Sequence, residues 1–396
     1  MISSFNFASI PHIIFGAGKL SQLYETIPKF GKNILILTGE KSLKDSGKWD
    51  LIADELTKRN ITFHRETVSG EPSPSIVDQI TDKYRGEEIE LVIGIGGGSV
   101  TDAGKAVSAM IPKNDSVINY LEGVGSKKPD GEKIPYIAVP TTSGTGSEAT
   151  KNAVISQVGP EGFKKSLRHD NYVPNYAFID PELVLSCPSS VTAASGMDAF
   201  SQLLEAYTST KASPMTDALS FSGMSYMREN IIAACKGGSS DINVRTGMAY
   251  GSLMSGMALA NAGLGVIHGM AGPIGGLFEI PHGVVCGTLL AEATKMNLEE
   301  LKKKNSKEAK AHLKKHADIG ALLANQRYDQ ESEVNKYCDM LIDKLEKWTR
   351  VLEIKRLSAY GITENDFDKI IEKSGLKNNP VYLSDKEMKK ILKNRL

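Results

Sequence analysis

The sequence predicts an α/β domain with a parallel sheet, followed by an all-helical domain. Two observations predict this. Short apolar runs alternate with helical segments up to Asp180-Pro181, and beyond that point the chain is rich in Ala, Leu and Met with few β-branched runs. Alternating strands and helices are typical of a parallel sheet covered by helices on both faces. At 396 residues the chain is long enough for two domains, which we place at residues 1–185 and 186–396.

Six apolar runs in the first domain predict strands, at residues 10–15, 33–37, 61–68, 91–95, 134–139 and 176–179. Continuous apolar runs such as 33–37 (NILIL) are typical of strands buried in a parallel sheet. Between them, residues 49–58, 75–85 and 99–110 are predicted as helices. In the second domain, residues 216–230, 244–260 and 330–352 have the pattern of amphipathic helices.

Composition excludes several classes of protein. Lys plus Arg and Asp plus Glu both number 47, so the formal net charge is zero, which argues against a nucleic-acid partner. No apolar run reaches the roughly 18 residues of a membrane span, and the first residues lack the pattern of a signal peptide. The four cysteines are scattered, as expected in a reducing compartment: Cys187, Cys235, Cys286 and Cys338. We expect a cytoplasmic protein with no membrane partner.

A glycine-rich segment, IGIGGGSVTDAGK at residues 93–105, follows the fourth predicted strand and opens a helix. Gly97 and Gly98 allow backbone N–H groups to approach a phosphate closely. Ser99 is the expected N-cap of the helix. Asp102, in the first turn, either orients cofactor hydroxyls or complements the helix dipole.

A second loop, PTTSGTGSEAT at residues 140–150, follows the fifth predicted strand. The hydroxyls of Thr141, Thr142 and Thr145 are placed to hydrogen-bond a pyrophosphate or a ribose. Ligands of α/β sheets collect at the carboxyl ends of the strands, so two such loops together predict a nucleotide site.

Metal-binding residue types cluster in the second domain. His268 and His282 lie fourteen residues apart on either side of a Gly/Pro-rich bend, and we expect the first helix to break at Pro273 and fold back. Asp198 and Gln202, at i and i+4, share one helix face. Two neutral imidazoles suit Zn²⁺ or Fe²⁺.

Read in order, GGGSVTDAGKA, PTTSGTGSEAT, GMDAFSQLLEAY and HGMAGPIGG…PHG resemble the iron-containing (group III) alcohol dehydrogenase family, which is related to glycerol dehydrogenase and dehydroquinate synthase. The resemblance covers essentially the whole chain. It implies a dehydroquinate synthase-like fold, with NAD(P) and a divalent metal in a cleft between the two domains. The implied activity is metal-assisted hydride transfer between NAD(P)(H) and a small alcohol or aldehyde.

The resemblance also assigns catalytic and metal-binding roles. The family's metal-binding aspartate matches Asp198, and two of its metal histidines match His268 and His282. The histidine usually found four residues after the aspartate is here Gln202, whose amide oxygen is a weaker ligand. The histidine usually beside the nicotinamide is here Gly272. Three protein ligands, as in glycerol dehydrogenases, and a fourth from Gln202 both stay open, as does metal-independent reduction of the maleylacetate reductase type.

On the cofactor side, the resemblance implies a pyrophosphate loop, a second loop and a ribose-binding lysine, matched by Gly97, Gly98, Ser99, Thr141, Thr142, Thr145 and Lys164. NAD-preferring relatives often carry an aspartate after the strand at 33–37, which repels a 2′-phosphate. Here Gly39 removes that repulsion, and Lys41, Ser42 or Lys44 could contact the phosphate. NADP(H) is therefore allowed and favoured, while Glu40 leaves NAD(H) open.

Two other hypotheses come from different classes. A lyase of the dehydroquinate synthase type would oxidise its substrate only transiently, so net NAD(P)H consumption separates it from a dehydrogenase. A non-catalytic nucleotide-binding protein is suggested by Gln202 and Gly272. For assembly, residues 5–15 form an apolar segment with no hairpin partner, and because unpaired edges tend to be covered, we predict a homodimer.

Overall fold

The structure is a computed structural model that describes residues 4–396. Its strands are β1 (His12–Phe15), β2 (Asn33–Gly39), β3 (Thr62–Val68), β4 (Leu91–Gly96), β5 (Tyr136–Pro140), β6 (Asn152–Gln157), β7 (Phe163–Arg168) and β8 (Tyr176–Ile179). Its helices are α1 (Leu23–Thr26), α2 (Ser42–Asp45), α3 (Lys48–Lys58), α4 (Pro74–Tyr84), α5 (Gly98–Met110), α6 (Ser189–Thr208), α7 (Pro214–Cys235), α8 (Ile242–Ala262), α9 (Val266–Leu277), α10 (His282–Lys302), α11 (Lys307–Leu323), α12 (Val334–Val351), α13 (Phe367–Lys373) and α14 (Asp385–Asn394).

Six strands form one parallel sheet in the order β1-β8-β5-β4-β2-β3. Alternate residues along a strand point to opposite faces of the sheet, and the two faces belong to different apolar cores. Leu35 and Leu37 pack with α4 and α5, whereas Ile34 and Ile36 pack with α1 and α3 on the opposite face. The predicted parallel sheet with helices on both faces is confirmed.

The first strand is shorter than the apolar segment that predicted it. Only His12–Phe15 is extended, and it lies at the edge of the sheet, paired on one side with β8. The rest of the segment, residues 5–11, is irregular, and Phe5 and Ile10 are exposed. One side of β1 therefore has no strand partner within the described chain.

An antiparallel hairpin, β6–β7, was not predicted from the sequence. It packs between α5 of the sheet region and α9 of the helical region. Glycine allows the close contact, since a Cβ at Gly276 of α9 would lie 3.0 Å from the backbone of Phe163. The hairpin escaped prediction because β7 (FKKSLR) is short and largely polar.

The helical region is built on one large apolar core, in which α6, α7 and α8 pack together and α10 packs on α6. The last strand of the sheet ends at Ile179 and the first long helix begins at Ser189. The exact division at residues 185 and 186 stays a prediction.

Among the described helices, none is by itself long and apolar enough to cross a membrane. Only α8 and α9 taken together have the length and composition of a membrane span, and they are bent by 100° from one another.

The prediction that the first histidine helix breaks at Pro273 was wrong. Helix α9 continues through Pro273 to Leu277. An interior proline costs a helix about 3 kcal/mol, which is offset here because its neighbours Ala271 and Ile274 are fully buried in the core. The chain reverses after Leu277, and α10 then begins at His282.

Candidate active site

A cleft of about 2040 Å³ lies between the sheet region and the helical region. Its walls come from the carboxyl ends of β4 and β5, from the hairpin β6–β7, and from α6, α9 and α10. Most of the residues singled out from the sequence line this single cleft.

The glycine-rich loop after β4 forms one end of the cleft, which Gly97, Gly98 and Ser99 line. Helix α5 begins at Gly98, with Gly97 as its N-cap and no side-chain cap. The expectation that Ser99 is the N-cap was wrong, because the glycines let the chain enter the helix earlier. The first-turn N–H groups are not capped by a side chain, and such groups bind anions.

The second loop touches the first. Thr142 and Thr145 line the cleft beside the glycines, and a Cβ at Gly98 would come within 2.6 Å of the Thr145 methyl carbon. Thr141 instead ties the loop to the sheet, since its N–H donates to the carbonyl of Gly96 at 2.8 Å, and it does not line the cleft. The structure thus brings two of the three predicted threonines to the site.

A buried lysine that the sequence analysis missed fixes the second loop in place. The fully buried Nζ of Lys105 donates to the Ser147 carbonyl at 2.8 Å and to the Asn152 carbonyl at 2.7 Å. It lies 3.9 Å from Asp102, which accepts a hydrogen bond from the Ser147 hydroxyl. Burial lowers the pKa of Lys105 to about 8 and raises that of Asp102. Asp102 lines the cleft and also anchors the loop.

Gly39, Lys41 and Ser42 are predicted to lie near the 2′ position of the cofactor's adenosine ribose. They lie at the same edge of the sheet but outside the lining of the cleft. Gly39 ends β2, Lys41 precedes α2 and Ser42 begins it. Strand β2 pairs with β4, with Thr38 opposite Ile95, so this segment lies next to the strand that leads into the glycine-rich loop.

Lys164, the predicted ribose-binding lysine, lies on β7 and lines the cleft. Its Nζ contacts both carboxylate oxygens of Glu71. A Cβ at Gly275 would lie 3.4 Å from the Lys164 side chain, and Gly272 lines the cleft nearby. The only atom within 4 Å of a Cβ at Gly272 is the backbone carbonyl oxygen of Lys164, at 4.0 Å, so the position of the missing family histidine lies beside β7.

The metal-binding residue types meet at the helical wall. Asp198 Oδ1 lies 3.2 Å from His268 Nε2 and 3.8 Å from His282 Nε2. Cys286 Sγ lies 3.5 Å and 3.7 Å from the same two nitrogens. All four ligand atoms lie within 4.8 Å of one another. Cys286 was missed, although its position four residues after His282 on α10 signals a shared helix face.

A carboxylate behind the cluster orients one of the imidazoles. Glu205, on α6, accepts a hydrogen bond from His268 Nδ1 at 2.7 Å and another from the backbone N–H of Ile267 at 2.7 Å. A proton held on Nδ1 leaves Nε2 free to bind a metal. Glu205 lies seven residues after Asp198, on the same face of α6, and this spacing could have identified it.

Gln202 is buried and lines the cleft one helical turn from Asp198. Its side-chain oxygen accepts a hydrogen bond from the Ser255 hydroxyl at 2.7 Å. Metal binding by Gln202 stays a prediction.

The protonation states of Asp198 and His282 suit a divalent cation. Burial and the nearby Lys164 ammonium lower the pKa of His282 to about 4, so this imidazole is neutral at pH 7. Although burial opposes ionisation of Asp198, its imidazole neighbours lower the carboxyl pKa to about 2. Burial raises the pKa of the Cys286 thiol to about 12. An ionised carboxylate beside a neutral imidazole is a fitting donor set for Zn²⁺ or Fe²⁺.

His268 differs from these two groups. Although burial opposes protonation, Cys286 and the hydrogen bonds to Asp198 and Glu205 raise its pKa well above the usual value. A metal would therefore have to displace a proton from this ring.

A glycine-rich helix N-terminus, a threonine-rich loop and a carboxylate–imidazole cluster in one cleft of an α/β-plus-helical fold fit a nucleotide-dependent oxidoreductase with a candidate metal site. Residues 11–181 match the family described as iron-containing alcohol dehydrogenase, and residues 192–396 match the C-terminal region of the Fe-containing alcohol dehydrogenase family. The chain belongs to the iron-containing alcohol dehydrogenase family. It is an NAD(P)-dependent alcohol dehydrogenase, as the family resemblance implied.

The chain is 32% identical to long-chain-alcohol dehydrogenase 1 of Geobacillus thermodenitrificans, over 97% of this chain and 94% of the relative. It is 30% identical to the NADPH-dependent butanol dehydrogenase of Clostridium saccharobutylicum, over 96% of this chain and 95% of the relative. Among solved structures, an archaeal halo-thermophilic alcohol dehydrogenase from a Red Sea brine pool superposes with a TM-score of 0.89 at 25% identity, covering 100% of this chain and 99% of the other.

Proposed function

We propose that this enzyme interconverts small aldehydes and alcohols with NADP(H) and one divalent metal held by Asp198, His268 and His282. One observation carries the proposal. The three side chains come from three different helices, and their ligand atoms lie within 4.8 Å of one another at the wall of the cleft that the two anion-binding loops also line.

When bound, the metal supplies a Lewis acid for the carbonyl or alkoxide oxygen, and the nicotinamide supplies or accepts the hydride. The chain's own residues hold and orient these groups. The open N-terminus of α5, together with Thr142 and Thr145, binds the pyrophosphate. Lys164 binds the ribose, and Glu205 keeps His268 in the tautomer that presents Nε2. Gly272 has no proton to give, so proton exchange would depend on water and on hydroxyl groups that a bound cofactor would supply.

Preference for NADP(H) follows from the segment after β2. It has glycine at position 39, where NAD-preferring relatives often carry an aspartate, and Lys41 and Ser42 follow it. A cation and a hydroxyl suit a 2′-phosphate. The butanol dehydrogenase relative is NADPH-dependent by name, whereas a methanol dehydrogenase of Bacillus methanolicus, also 30% identical, is NAD-dependent by name, so the proposal rests on the residues after β2.

The decisive experiment combines metal analysis with a turnover assay of purified enzyme, using NADPH or NADH and small aldehydes with and without a polar or anionic tail. We expect about one divalent metal per chain, and loss of both metal and activity in His268→Ala and His282→Ala. His64→Ala, on β3 and hydrogen-bonded to Asn33, is the matched control and should retain both.

The alternatives give different results. Full activity in demonstrably metal-free enzyme would reject the metal site and favour a reductase of the maleylacetate reductase type. Conversion without net NADPH consumption would favour a lyase. Binding of cofactor and metal without turnover of any aldehyde would favour a non-catalytic nucleotide-binding protein.

For assembly and location, the proposal is a cytoplasmic homodimer formed through the edge strand β1. One side of β1 is unpaired within the described chain, and Phe5 and Ile10, which precede it in the sequence, are each 42% exposed. A partner subunit would cover this edge and the apolar residues. Light scattering at micromolar concentration should give twice the chain mass, and a monomer mass would reject the homodimer.

A further inference from the structure

The first observation is the position of Cys286. Helix α10 begins at His282, and Cys286 follows one turn later, so both side chains point to the same side of the helix. The thiol is completely buried. Its sulfur approaches the metal-facing nitrogens of both His268 and His282, at 3.5 Å and 3.7 Å. Among the described residues, the other three cysteines are not part of any such cluster.

The second observation is that three of four distances within the cluster are close to those between the corners of a metal-binding tetrahedron, and the fourth, from Asp198 Oδ1 to His282 Nε2, is about 0.5 Å longer than the tetrahedral value. With metal–sulfur bonds of about 2.3 Å and metal–nitrogen or metal–oxygen bonds of about 2.05 Å, tetrahedral corners lie about 3.6 Å apart for S and N and about 3.3 Å apart for N and O. The two observed S–N distances are 3.5 Å and 3.7 Å. The two observed N–O distances, from Asp198 to the histidines, are 3.2 Å and 3.8 Å.

The third observation concerns Gln202, which stands where relatives usually have a metal-binding histidine. Only the oxygen of its amide could bind a cation, and that oxygen already accepts a hydrogen bond from Ser255 at 2.7 Å. The chain thus has a weak ligand, fixed by another partner, at one position and a sulfur at another position within reach of the same cluster.

We propose that Cys286 is the fourth protein ligand of the metal, in place of the residue at position 202. This assignment rests on the proposed function, because it requires that the cluster bind a metal at all. A thiolate makes the site softer than a carboxylate–imidazole set, and soft ligands favour Zn²⁺ over Fe²⁺. A thiol that coordinates a metal is deprotonated outright, so a buried, otherwise unreactive cysteine acquires a function.

The test uses Co²⁺ as a spectroscopic probe added to metal-free enzyme. Wild type should take up one equivalent and develop a sulfur-to-cobalt charge-transfer band in the near ultraviolet. Cys286→Ser should still bind Co²⁺ through Asp198, His268 and His282 but lose the band. Cys338→Ser is the matched control, since Cys338 is also completely buried but lies outside the cluster, and it should keep the band.

The outcomes separate the two proposals. Co²⁺ bound to wild type without the band, or a band that persists in Cys286→Ser, overturns the assignment of Cys286 and leaves the metal-dependent function standing. No uptake of Co²⁺ by wild type overturns the metal-dependent function and, with it, the assignment.

X-ray absorption of zinc-loaded wild type needs no variant, so it covers the case in which Cys286→Ser does not fold. The expected shell has one sulfur at about 2.3 Å, and a shell of nitrogen and oxygen alone rejects the sulfur ligand. In metal analysis, zinc should exceed iron when both are offered in equal amounts, and Cys286→Ser should lower that ratio.

Discussion

Glu205 Oε2 lies 2.7 Å from His268 Nδ1, on the side of the ring opposite Asp198 and the candidate metal site. The other oxygen of Glu205 is held by the backbone N–H of Ile267, also at 2.7 Å. The carboxylate therefore fixes the imidazole from behind while α6 supplies Asp198 in front of it. Such partners behind a metal-binding histidine set its tautomer and raise its basicity.

Glu205→Gln should weaken metal binding. The amide is neutral, and its NH₂ group can turn toward the ring and favour the wrong tautomer. We expect a loss in metal affinity of about tenfold to hundredfold, measured by competition for Zn²⁺ with a coloured chelator. Glu299→Gln changes a glutamate paired with Lys390 at the surface and should leave the affinity unchanged. If the two variants bind Zn²⁺ equally well, Glu205 does not tune the site.

Most of the fold could be predicted because its signals are local. Each of the six strands of the parallel sheet overlaps an apolar run, and β8 (Tyr176–Ile179) has the predicted bounds. The signal fails where burial comes from distant parts of the chain. The hairpin β6–β7 is half polar and packs against α5 and α9. The order of polar and apolar residues within the hairpin's own sequence does not reveal this packing.

Prediction of the candidate site from the sequence was likewise only partly successful. Asp198, His268 and His282 could be named from residue types and from the family resemblance, and the structure brings them together. Cys286 and Lys105 could not be identified by residue type, since a buried cysteine is more often apolar packing and a lysine in a helix is more often exposed. The role of Lys105 depends on contacts with residues 42 and 47 positions away, whereas the four-residue spacing from His282 was a local signal for Cys286.

Lys105→Met should destabilise the protein and loosen the second loop. It leaves the carbonyls of Ser147 and Asn152 without their donor, and it leaves the buried Asp102 without its cation. Removing one partner of a buried charge pair costs about 3–5 kcal/mol. We expect a loss of that size in the free energy of unfolding by urea, and a higher KM for NADPH.

The control for Lys105→Met is Lys58→Met, because Lys58 pairs with Glu55 at the surface of α3 and should leave both quantities unchanged. A Lys105→Met enzyme as stable as wild type would mean that other contacts hold the loop.

Gln202→His should tighten metal binding, because an imidazole nitrogen suits Zn²⁺ or Fe²⁺ better than an amide oxygen. The imidazole would lie one turn from Asp198 on the same face of α6. The gain should be largest when Cys286→Ser has removed the sulfur, since the histidine then restores the four ligands usual in the family. Chelator titration of both single variants and the double variant measures this. Equal or weaker metal retention would mean that position 202 faces the substrate or the packing.

Gly39→Asp should shift cofactor preference toward NADH. The change is sterically feasible, because a Cβ at Gly39 would meet only Ser42 Oγ, at 3.8 Å, and the φ of Gly39 is not positive. A carboxylate at the end of β2 would accept the ribose 2′-hydroxyl of NADH and repel the dianionic 2′-phosphate of NADPH. Like-charge contacts of this kind cost several kcal/mol, and a hundredfold loss of kcat/KM corresponds to about 2.7 kcal/mol.

The measurement for Gly39→Asp is the ratio of kcat/KM for NADPH and NADH with one aldehyde. Gly237→Asp adds the same charge in the α7–α8 connection, where a Cβ would meet nothing within 4 Å, and it should leave the ratio unchanged. We expect the ratio to fall at least tenfold in Gly39→Asp, about 1.4 kcal/mol. A change below about threefold, roughly 0.65 kcal/mol, would place the adenosine ribose elsewhere, since a carboxylate in contact with a 2′-phosphate could not have so small an effect.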